Sequence, residues 1–288
     1  MGTAILQRYV LLGPIGRGGV SMVYHAVDAL TPRPAAVKLL APTLRGDARA
    51  RDNVRREAMI THRLRHPSVP KVYDFGDAPL PDGTVVPYVV MELLTGVSLA
   101  GRLASGPLPW TEAVSVAATV ADVLAVAHRR GVVHRDLAPE NLMMTASGLK
   151  IIDFGLATTV DASPTASPRI LRPLAVRPEI PVRPVTSAAL PADDVYALGV
   201  LLYQMLTGRS PYPAANRRAF LAAARFRGVA PTPVLDVPGL PPGMASICRA
   251  CMAKRPEDRP ASGAVALALW SLLSAPRHEA PLRDLTPV

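Results

Sequence analysis

Short apolar runs rich in β-branched residues dominate the first third of the chain, and apolar residues at helical spacing dominate the rest. The predicted strands lie near 9–16, 20–27, 35–41, 71–75 and 85–92, with one helix near 48–64 between the third and fourth. The later predicted helices are 111–130, 192–207, 214–226, 244–253 and 261–274. In the first of them Ala113, Val116, Ala117, Val120, Val123, Leu124 and Ala127 recur every three or four residues, which defines one buried face. The pattern predicts an α+β protein in which a sheet lobe precedes a mainly helical lobe.

Two short polar segments in the second half carry the clearest candidate chemistry. The first is His134-Arg135-Asp136 followed by Asn141, and the second is Asp153-Phe154-Gly155. Apolar, strand-like residues flank both segments, so each is predicted to lie where a strand ends. Phosphoryl transfer needs a carboxylate to orient the attacking hydroxyl, and oxygen ligands to hold Mg²⁺ over the phosphates. Asp136 would serve the hydroxyl, and Asn141 and Asp153 would be metal ligands.

A glycine-rich segment near the N-terminus supplies a matching phosphate site. Gly16 and Gly18 lie between the first two predicted strands, where the absence of a Cβ lets the backbone approach phosphates closely. Downstream, the third predicted strand begins with Ala35-Ala36-Val37-Lys38, and Glu57 lies inside the first predicted helix. Lys38 is therefore a candidate phosphate-binding cation, and Glu57 is its candidate ion-pair partner.

Taken together and in this order, these segments resemble the bacterial branch of the eukaryotic-type (Hanks-type) Ser/Thr protein kinases, over roughly residues 9 to 273. Arg177-Pro178-Glu179, Asp194 and Arg259 fit the same pattern, in which Glu179 and Arg259 pair beneath the activation segment. The resemblance implies a single kinase domain over 1–288, with an antiparallel N-lobe at about 9–94 and a helical C-lobe at about 95–275. It implies Asp136, Lys38, Glu57, Asn141 and Asp153 as catalytic residues.

The resemblance also implies where the cofactors ATP and Mg²⁺ would bind. Met91 would be the gatekeeper, and the backbone at Glu92 and Leu94 would meet the adenine. The implied nucleotide-binding residues are Ile15, Gly16, Gly18, Val23, Ala36, Lys38, Met91, Glu92, Leu94 and Met143. A cleft between two lobes is a common place for such a ligand.

Two departures from the family pattern concern the γ-phosphate and the substrate peptide. Ala138 replaces the catalytic-loop lysine, and Arg172 replaces the threonine that contacts the catalytic aspartate. Losing one preorganised charge of this kind costs on the order of 3 kcal/mol in the transition state. Three functions remain: a Ser/Thr protein kinase with protein substrates, including itself; a nucleotide-binding pseudokinase acting as scaffold or allosteric partner; and a small-molecule kinase of related fold. The first is favoured, and Glu179, Asp194 and Arg259, which anchor a peptide-binding segment in protein kinases, favour a protein substrate over a small molecule.

Composition narrows the remaining classes. The net charge of +10 arises largely from arginines on a predicted helix face and in the activation segment, without interleaved aromatics, so nucleic-acid binding is not expected. Cys248 and Cys251 are expected in the core, since one Cys-x-x-Cys cannot complete a tetrahedral zinc site. No leader peptide is recognised, and the apolar helices at 113–127 and 264–273 are expected to be interrupted or too short to cross a bilayer. A cytoplasmic domain with no membrane partner is expected, and pairing of two copies through their N-lobes remains open.

Overall fold

A computed structural model describes residues 4–17, 21–41, 46–80, 83–154, 158–159, 190–211 and 233–274 of the chain. The first part of the described chain is a six-stranded antiparallel sheet, in the order β1-β2-β3-β4-β6-β5. Its strands are β1 (Ala4–Ile5), β2 (Tyr9–Arg17), β3 (Ser21–Asp28), β4 (Arg33–Leu40), β5 (Val72–Pro79) and β6 (Val85–Glu92).

Helix α1 (Ala48–Arg63) covers one face of this sheet. Val54 and Ala58 pack from the helix onto Leu40 of β4 and Val89 of β6, and all four side chains are buried. Other apolar side chains of the sheet, including Tyr9 and Tyr88, form a separate cluster. The first of these clusters fixes α1 relative to β4, the strand that carries Lys38.

A set of short elements connects the sheet to the helical lobe. They are β7 (Gly96–Ser98), α2 (Leu99–Leu103), β8 (Val132–Val133), a 3₁₀ turn (Pro139–Asn141), β9 (Leu142–Thr145), β10 (Gly148–Ile151) and β11 (Thr158–Thr159). Strand β9 pairs with both β10 and β7, and β11 pairs with β8. Since β7 follows directly on the end of the sheet lobe, its pairing with β9 brings that connection beside the hairpin that leads to Asp153.

Four longer helices build the second lobe. They are α3 (Trp110–Arg129), α4 (Pro191–Thr207), α5 (Pro242–Cys251) and α6 (Ser262–Ser274). Helix α3 packs against α4 and α6, and its Ala and Val side chains form the centre of the largest apolar cluster. Cys248 and Cys251 lie fully buried in this cluster as free thiols, so the prediction that they are core residues is confirmed.

The long elements agree with the sequence predictions to within about two residues at most ends. The main differences are β5, which extends to Pro79, and the short elements β1, β7 and α2, which are too short to show an apolar period in the sequence. The helix predicted at 214–226 lies outside the described residues. Helix α3 is longer than its apolar core of 113–127, and of the helices described here it alone has the length and composition to cross a bilayer. Most of it is buried against protein, which accounts for its apolar composition.

Candidate active site

Lys38 and Glu57 form a buried ion pair between β4 and α1, beside the partly exposed Asp153 in the loop after β10. Its Nζ lies 2.5 Å from Glu57 Oε1 and 3.6 Å from Asp153 Oδ1. Burial alone would lower the pKa of Lys38, but the attraction of Glu57 and Asp153 outweighs it and raises the pKa. The lysine is therefore a fixed positive charge beside the carboxylate that precedes Phe154.

Asp194, near the start of α4, organises the backbone of the catalytic loop. Its carboxylate is 1% exposed and accepts hydrogen bonds from the backbone N–H groups of His134, at 2.7 Å, and Arg135, at 2.8 Å. His128, in the last turn of α3, places Nε2 at 2.9 Å from the same carboxylate and Nδ1 at 3.0 Å from Ser262 Oγ. The loop that presents Asp136 is thus held by two helices of the core. Sequence reasoning did not find this use of His128, because a lone histidine on an apolar helix carries no motif.

Asp136 and Asn141 lie together at the other end of this loop. Asn141 Nδ2 donates to Asp136 Oδ2 at 3.1 Å and to the Asp136 carbonyl at 2.8 Å. The Asn141 backbone N–H donates to Ala138 O, and its carbonyl accepts from Ile152 N, next to Asp153. The six residues from Asp136 to Asn141 therefore form a closed turn whose two functional side chains face each other.

The backbone is strained at two points of the site. Arg135 has φ of 65° and Asp153 has φ of 68°, in the left-handed region that non-glycine residues rarely adopt. Each such residue costs on the order of 1–3 kcal/mol and persists only where its surroundings fix it. At Arg135 the surroundings include the hydrogen bond from its N–H to Asp194. Arg135 lies within the first predicted motif and Asp153 begins the second. Backbone strain at such positions is typical of a functional site.

His134 is a buried, neutral spacer between the two motifs. Its Nδ1 accepts from Asp136 N at 3.2 Å, and its ring lies 4.7 Å from that of Phe154. Burial lowers the pKa of His134 despite the nearby aspartates, and its Nε2 has no hydrogen-bond partner among the described groups. The imidazole therefore packs as an apolar ring that links the catalytic loop to the loop of Asp153.

The predicted adenine-wall residues lie on paired strands of the sheet and on β9 of the hairpin. In the sheet register Ala36 faces Met91, Val23 faces Lys38, and Gly16 faces Val23. Ala36 is 5% exposed and Met91 is partly buried, whereas Ile15 is 54% exposed at the end of β2. Met143 lies on β9, opposite Ser98 of β7, whereas Glu92 ends β6 and Leu94 lies between β6 and β7.

The donor types present suit a hard divalent cation. Asn141 and Asp153 offer an amide and a carboxylate oxygen, and both hydrogen bonds of the Asn141 side chain are donated by its nitrogen. The described residues contain no cluster of three or more His, Cys, Asp or Glu that could hold a metal alone. A cation bound here would complete its shell with phosphate and water, as Mg²⁺ usually does. Gly18, Arg172 and Glu179 lie outside the described residues.

Comparison with known proteins places this arrangement in a family. A model of the protein kinase domain matches residues 9–270. A probable serine/threonine-protein kinase of Corynebacterium efficiens is 35% identical over 280 residues, covering 94% of this chain and 42% of that protein. Serine/threonine-protein kinase PknL of Mycobacterium tuberculosis is 34% identical over 280 residues, covering 96% of this chain and 68% of that protein. The chain spans less than half the length of the first relatives it matches.

A solved structure confirms the predicted two-lobe fold. The kinase domain of Mycobacterium tuberculosis PknI aligns with a TM-score of 0.66, over 91% of this chain and 95% of that one, at 22% identity. The match of the family model over 262 of the 288 residues (9 through 270) and the ordered motifs lead to one assignment. The chain belongs to the protein kinase domain family, in the bacterial Ser/Thr branch that its sequence predicts.

Proposed function

We propose that this chain transfers the γ-phosphoryl group of ATP, bound with Mg²⁺, to Ser or Thr hydroxyls of protein substrates. The observation that carries the proposal is the closed Lys38–Glu57 pair, at 2.5 Å, with Asp153 beside it. A kinase whose helix α1 had swung away would leave this lysine without its glutamate. The site has its cation, Lys38, in the sheet lobe and its predicted catalytic carboxylate, Asp136, in the helical lobe. This arrangement suits a nucleotide held between the two.

The residues would divide the work by position. Lys38, held by Glu57, would bind the α- and β-phosphates, and Asp153 and Asn141 would hold Mg²⁺, which neutralises charge on the transferring phosphate. Asp136 would accept the proton of the substrate hydroxyl and fix its direction of attack. The hydrogen bond from Asn141 sets the orientation of the Asp136 carboxylate, so metal site and catalytic site share one support.

Ala138 sets the expected strength of this activity. It precedes the 3₁₀ turn of Pro139–Asn141 in extended conformation, and its carbonyl accepts from Asn141 N, so the loop closes without a lysine side chain. The geometry of Asp136 and Asn141 is kept while one cation near the γ-phosphate is missing. We therefore propose an attenuated kinase. The scaffold alternative rests on this same residue and on Arg172.

A protein substrate is favoured over a small molecule. The relatives are named serine/threonine-protein kinases, and Asp194 and Arg259, which anchor the activation segment in that family, are both buried here. Arg259 donates to the carbonyls of Ala192 and Ala253, which ties α4 to the segment before α6. We further propose that residues 1–288 form a single kinase domain, which works in the cytoplasm. Pairing of two copies through the N-lobe stays a prediction.

The test is incorporation of labelled phosphate from ATP in the presence of magnesium, with and without a generic basic or acidic protein. Wild type should yield phosphoserine or phosphothreonine, and Asp136→Asn should abolish it while leaving ATP binding unchanged. Asp122→Asn, at an exposed position of α3, is the matched control. A magnesium-dependent rise in melting temperature with ATP is expected, because a ligand of the folded state stabilises it.

Three outcomes separate the candidates. Binding of ATP without transfer above the Asp136→Asn background would favour the scaffold. Transfer to small metabolites and not to protein would favour the small-molecule kinase. Absence of any thermal shift at millimolar ATP, in a folded protein, would contradict all three candidates, because each of them binds ATP.

A further inference from the structure

A second buried ion pair lies at the junction of the two lobes, away from Lys38. Lys150 Nζ lies 2.7 Å from Glu92 Oε1 and 2.9 Å from Glu92 Oε2, so the ammonium contacts both carboxylate oxygens. The Lys150 side chain is 8% exposed and that of Glu92 23%. Glu92 Oε2 also accepts from the backbone N–H of Lys71, just before β5. This carboxylate is therefore held from two sides.

The partners of this pair belong to the parts of the site that would contact adenine. Glu92 ends β6, and Lys150 lies on β10, directly opposite Met143 of β9. Two residues after Lys150, Ile152 N donates to Asn141, and Asp153 follows. The Lys150–Glu92 ion pair thus joins the end of the sheet lobe to the β9–β10 hairpin. This hairpin carries Met143, a predicted adenine wall, and leads to Asp153.

We propose that Lys150 is a positioning residue for the nucleotide, holding the backbone at Glu92 in register with Met143 so that adenine fits between them. The inference rests on the proposed function, since it concerns how ATP is held. Hydrogen bonds from a backbone to a base edge weaken steeply with distance and angle, so a shift of the Glu92 peptide by a fraction of an ångström would weaken them. Lys150 would touch no part of the nucleotide itself.

The choice of lysine in this chain supports a specific role. The chain has four lysines among 32 basic residues, and two of them, Lys38 and Lys150, are the buried ones. Lys71 and Lys254 are exposed. A compact ammonium fits a confined carboxylate where a planar guanidinium would need more room. In an arginine-rich chain, lysine is thus found at the two buried ion pairs that flank the predicted nucleotide.

Removal of the Lys150 charge should act on binding rather than on chemistry. Burial would raise the pKa of Glu92, but its bonds from Lys150 and from Lys71 N lower it, so the carboxylate is charged. Without Lys150, this carboxylate would turn toward solvent and draw the Glu92 backbone with it, because an unpaired buried charge is costly. Asp136 and Asn141 are anchored separately, through Asp194 and through each other. The transition-state groups should therefore stay in place.

The experiment compares wild type, Lys150→Met, the exposed control Lys254→Met and the double variant Lys150→Met/Glu92→Met. Affinity for ADP with magnesium is measured by calorimetry, and affinity for magnesium tripolyphosphate, which lacks adenine, by the same method. Thermal melting of each variant reports whether it is folded. Kinetics with ATP give kcat and KM.

Lys150→Met should weaken ADP binding and raise KM for ATP by about tenfold, the equivalent of losing one good hydrogen bond to the base, with kcat and tripolyphosphate affinity within about twofold of wild type. The double variant should recover most of the ADP affinity, because an apolar pair replaces the ion pair without leaving a lone charge. Lys254→Met should match wild type.

Equal ADP affinity in folded Lys150→Met and wild type would overturn the inference and leave the proposed function intact. Equal loss of tripolyphosphate and ADP affinity would also overturn it, because the effect would then be general destabilisation. A double variant as weak as Lys150→Met would exclude the ion pair as the cause. Failure of wild type to bind ADP would instead contradict the proposed function.

Discussion

Asp194→Asn tests whether one buried carboxylate positions the catalytic loop. Asparagine has the shape of aspartate but replaces one acceptor oxygen with an NH₂ donor. Asp194 Oδ1 accepts from Arg135 N, and Oδ2 accepts from His134 N and lies beside His128 Nε2. Whichever orientation the amide takes, its nitrogen must face at least one backbone N–H. The substitution therefore breaks one bond and leaves one buried donor opposed to another.

The expected loss of stability follows from the lost hydrogen bond and from the donor left unsatisfied. A hydrogen bond to a charged group contributes about 1.5–3 kcal/mol, and a buried donor left unsatisfied costs about 1–3 kcal/mol. The orientation that places NH₂ at Oδ1 loses the bond to Arg135 N alone and should be preferred. We expect the free energy of unfolding to fall by about 3 kcal/mol, roughly a third of the stability of a typical domain. Arg135, with φ of 65°, would then lose the contact that helps to hold its strained backbone.

The assays are urea unfolding and steady-state kinetics with ATP. Because Asp136 follows Arg135 directly, kcat should fall by about a hundredfold, the equivalent of the strain and the lost bond at Arg135, whereas KM for ATP should change little. Lys38, Glu57 and the adenine walls have no bond to Asp194 in the described structure. Asp122→Asn on α3 serves as the control. Stability within about 0.5 kcal/mol of wild type, or an unchanged kcat, would refute the reasoning.

Three further predictions follow from single sites. Gly199→Ala should lower the free energy of unfolding by about 2 kcal/mol, because a Cβ there would lie 2.7 Å from Cys251 Cβ. Gly263→Ala, whose Cβ would lie 3.8 Å from Ala125 Cβ, should lower it by less. Equal losses of stability for the two variants by urea unfolding would contradict this prediction. Ala138→Lys should raise kcat by up to about a hundredfold, with little change in KM for ATP, by restoring a cation at the γ-phosphate; unchanged turnover in an active protein would mean that another group already supplies the charge. His134, with its lowered pKa, stays neutral in the fold while the unfolded chain takes up a proton below pH 6.5, so stability should fall by about 1 kcal/mol from pH 7.5 to 5.5. His134→Phe should lack this part of the pH dependence, and equal slopes in the two proteins would exclude His134 as its source.

The long elements could be predicted because the spacing of their apolar residues follows from which of their side chains are buried in the core. Helix α3 shows its buried face in the sequence, since the residues at three- and four-residue spacing are those that contact α4 and α6. Strand β7 could not be predicted in the same way. It has three residues, and Gly96 is needed because a Cβ there would overlap Met144 O of the neighbouring strand, a contact that exists only after folding.

The site was predictable to the extent that its parts follow one another in the sequence. The candidate roles of Lys38, Glu57, Asp136, Asn141 and Asp153 came from motif order, and the structure brings Lys38, Glu57 and Asp153 together as one group and Asp136 and Asn141 as another. The assignment of their roles stays a prediction until variants are measured. The supports of these groups were not predictable, because His128 and Asp194 lie 66 residues apart and meet only where α3 packs against α4. The signal for Lys150 was present in composition, as a lysine retained in an arginine-rich chain, but its partner could not be read from the sequence.

The separate supports explain why a kinase could lose the lysine at position 138 without losing the rest of its site. Asp194 holds the backbone just before Asp136, and Asn141 donates a hydrogen bond to the Asp136 carboxylate. None of these bonds involves the side chain of residue 138. Lys38 is held by Glu57 within the sheet lobe, and Glu92 is held by Lys150 at the junction. A substitution at position 138 therefore changes the charge available to the transition state and leaves the binding of nucleotide and metal to other residues. A site built in this modular way permits the predicted nucleotide-binding residues to be retained beside an attenuated transfer step, so turnover, rather than ATP binding, is the property that would distinguish an attenuated kinase from a scaffold.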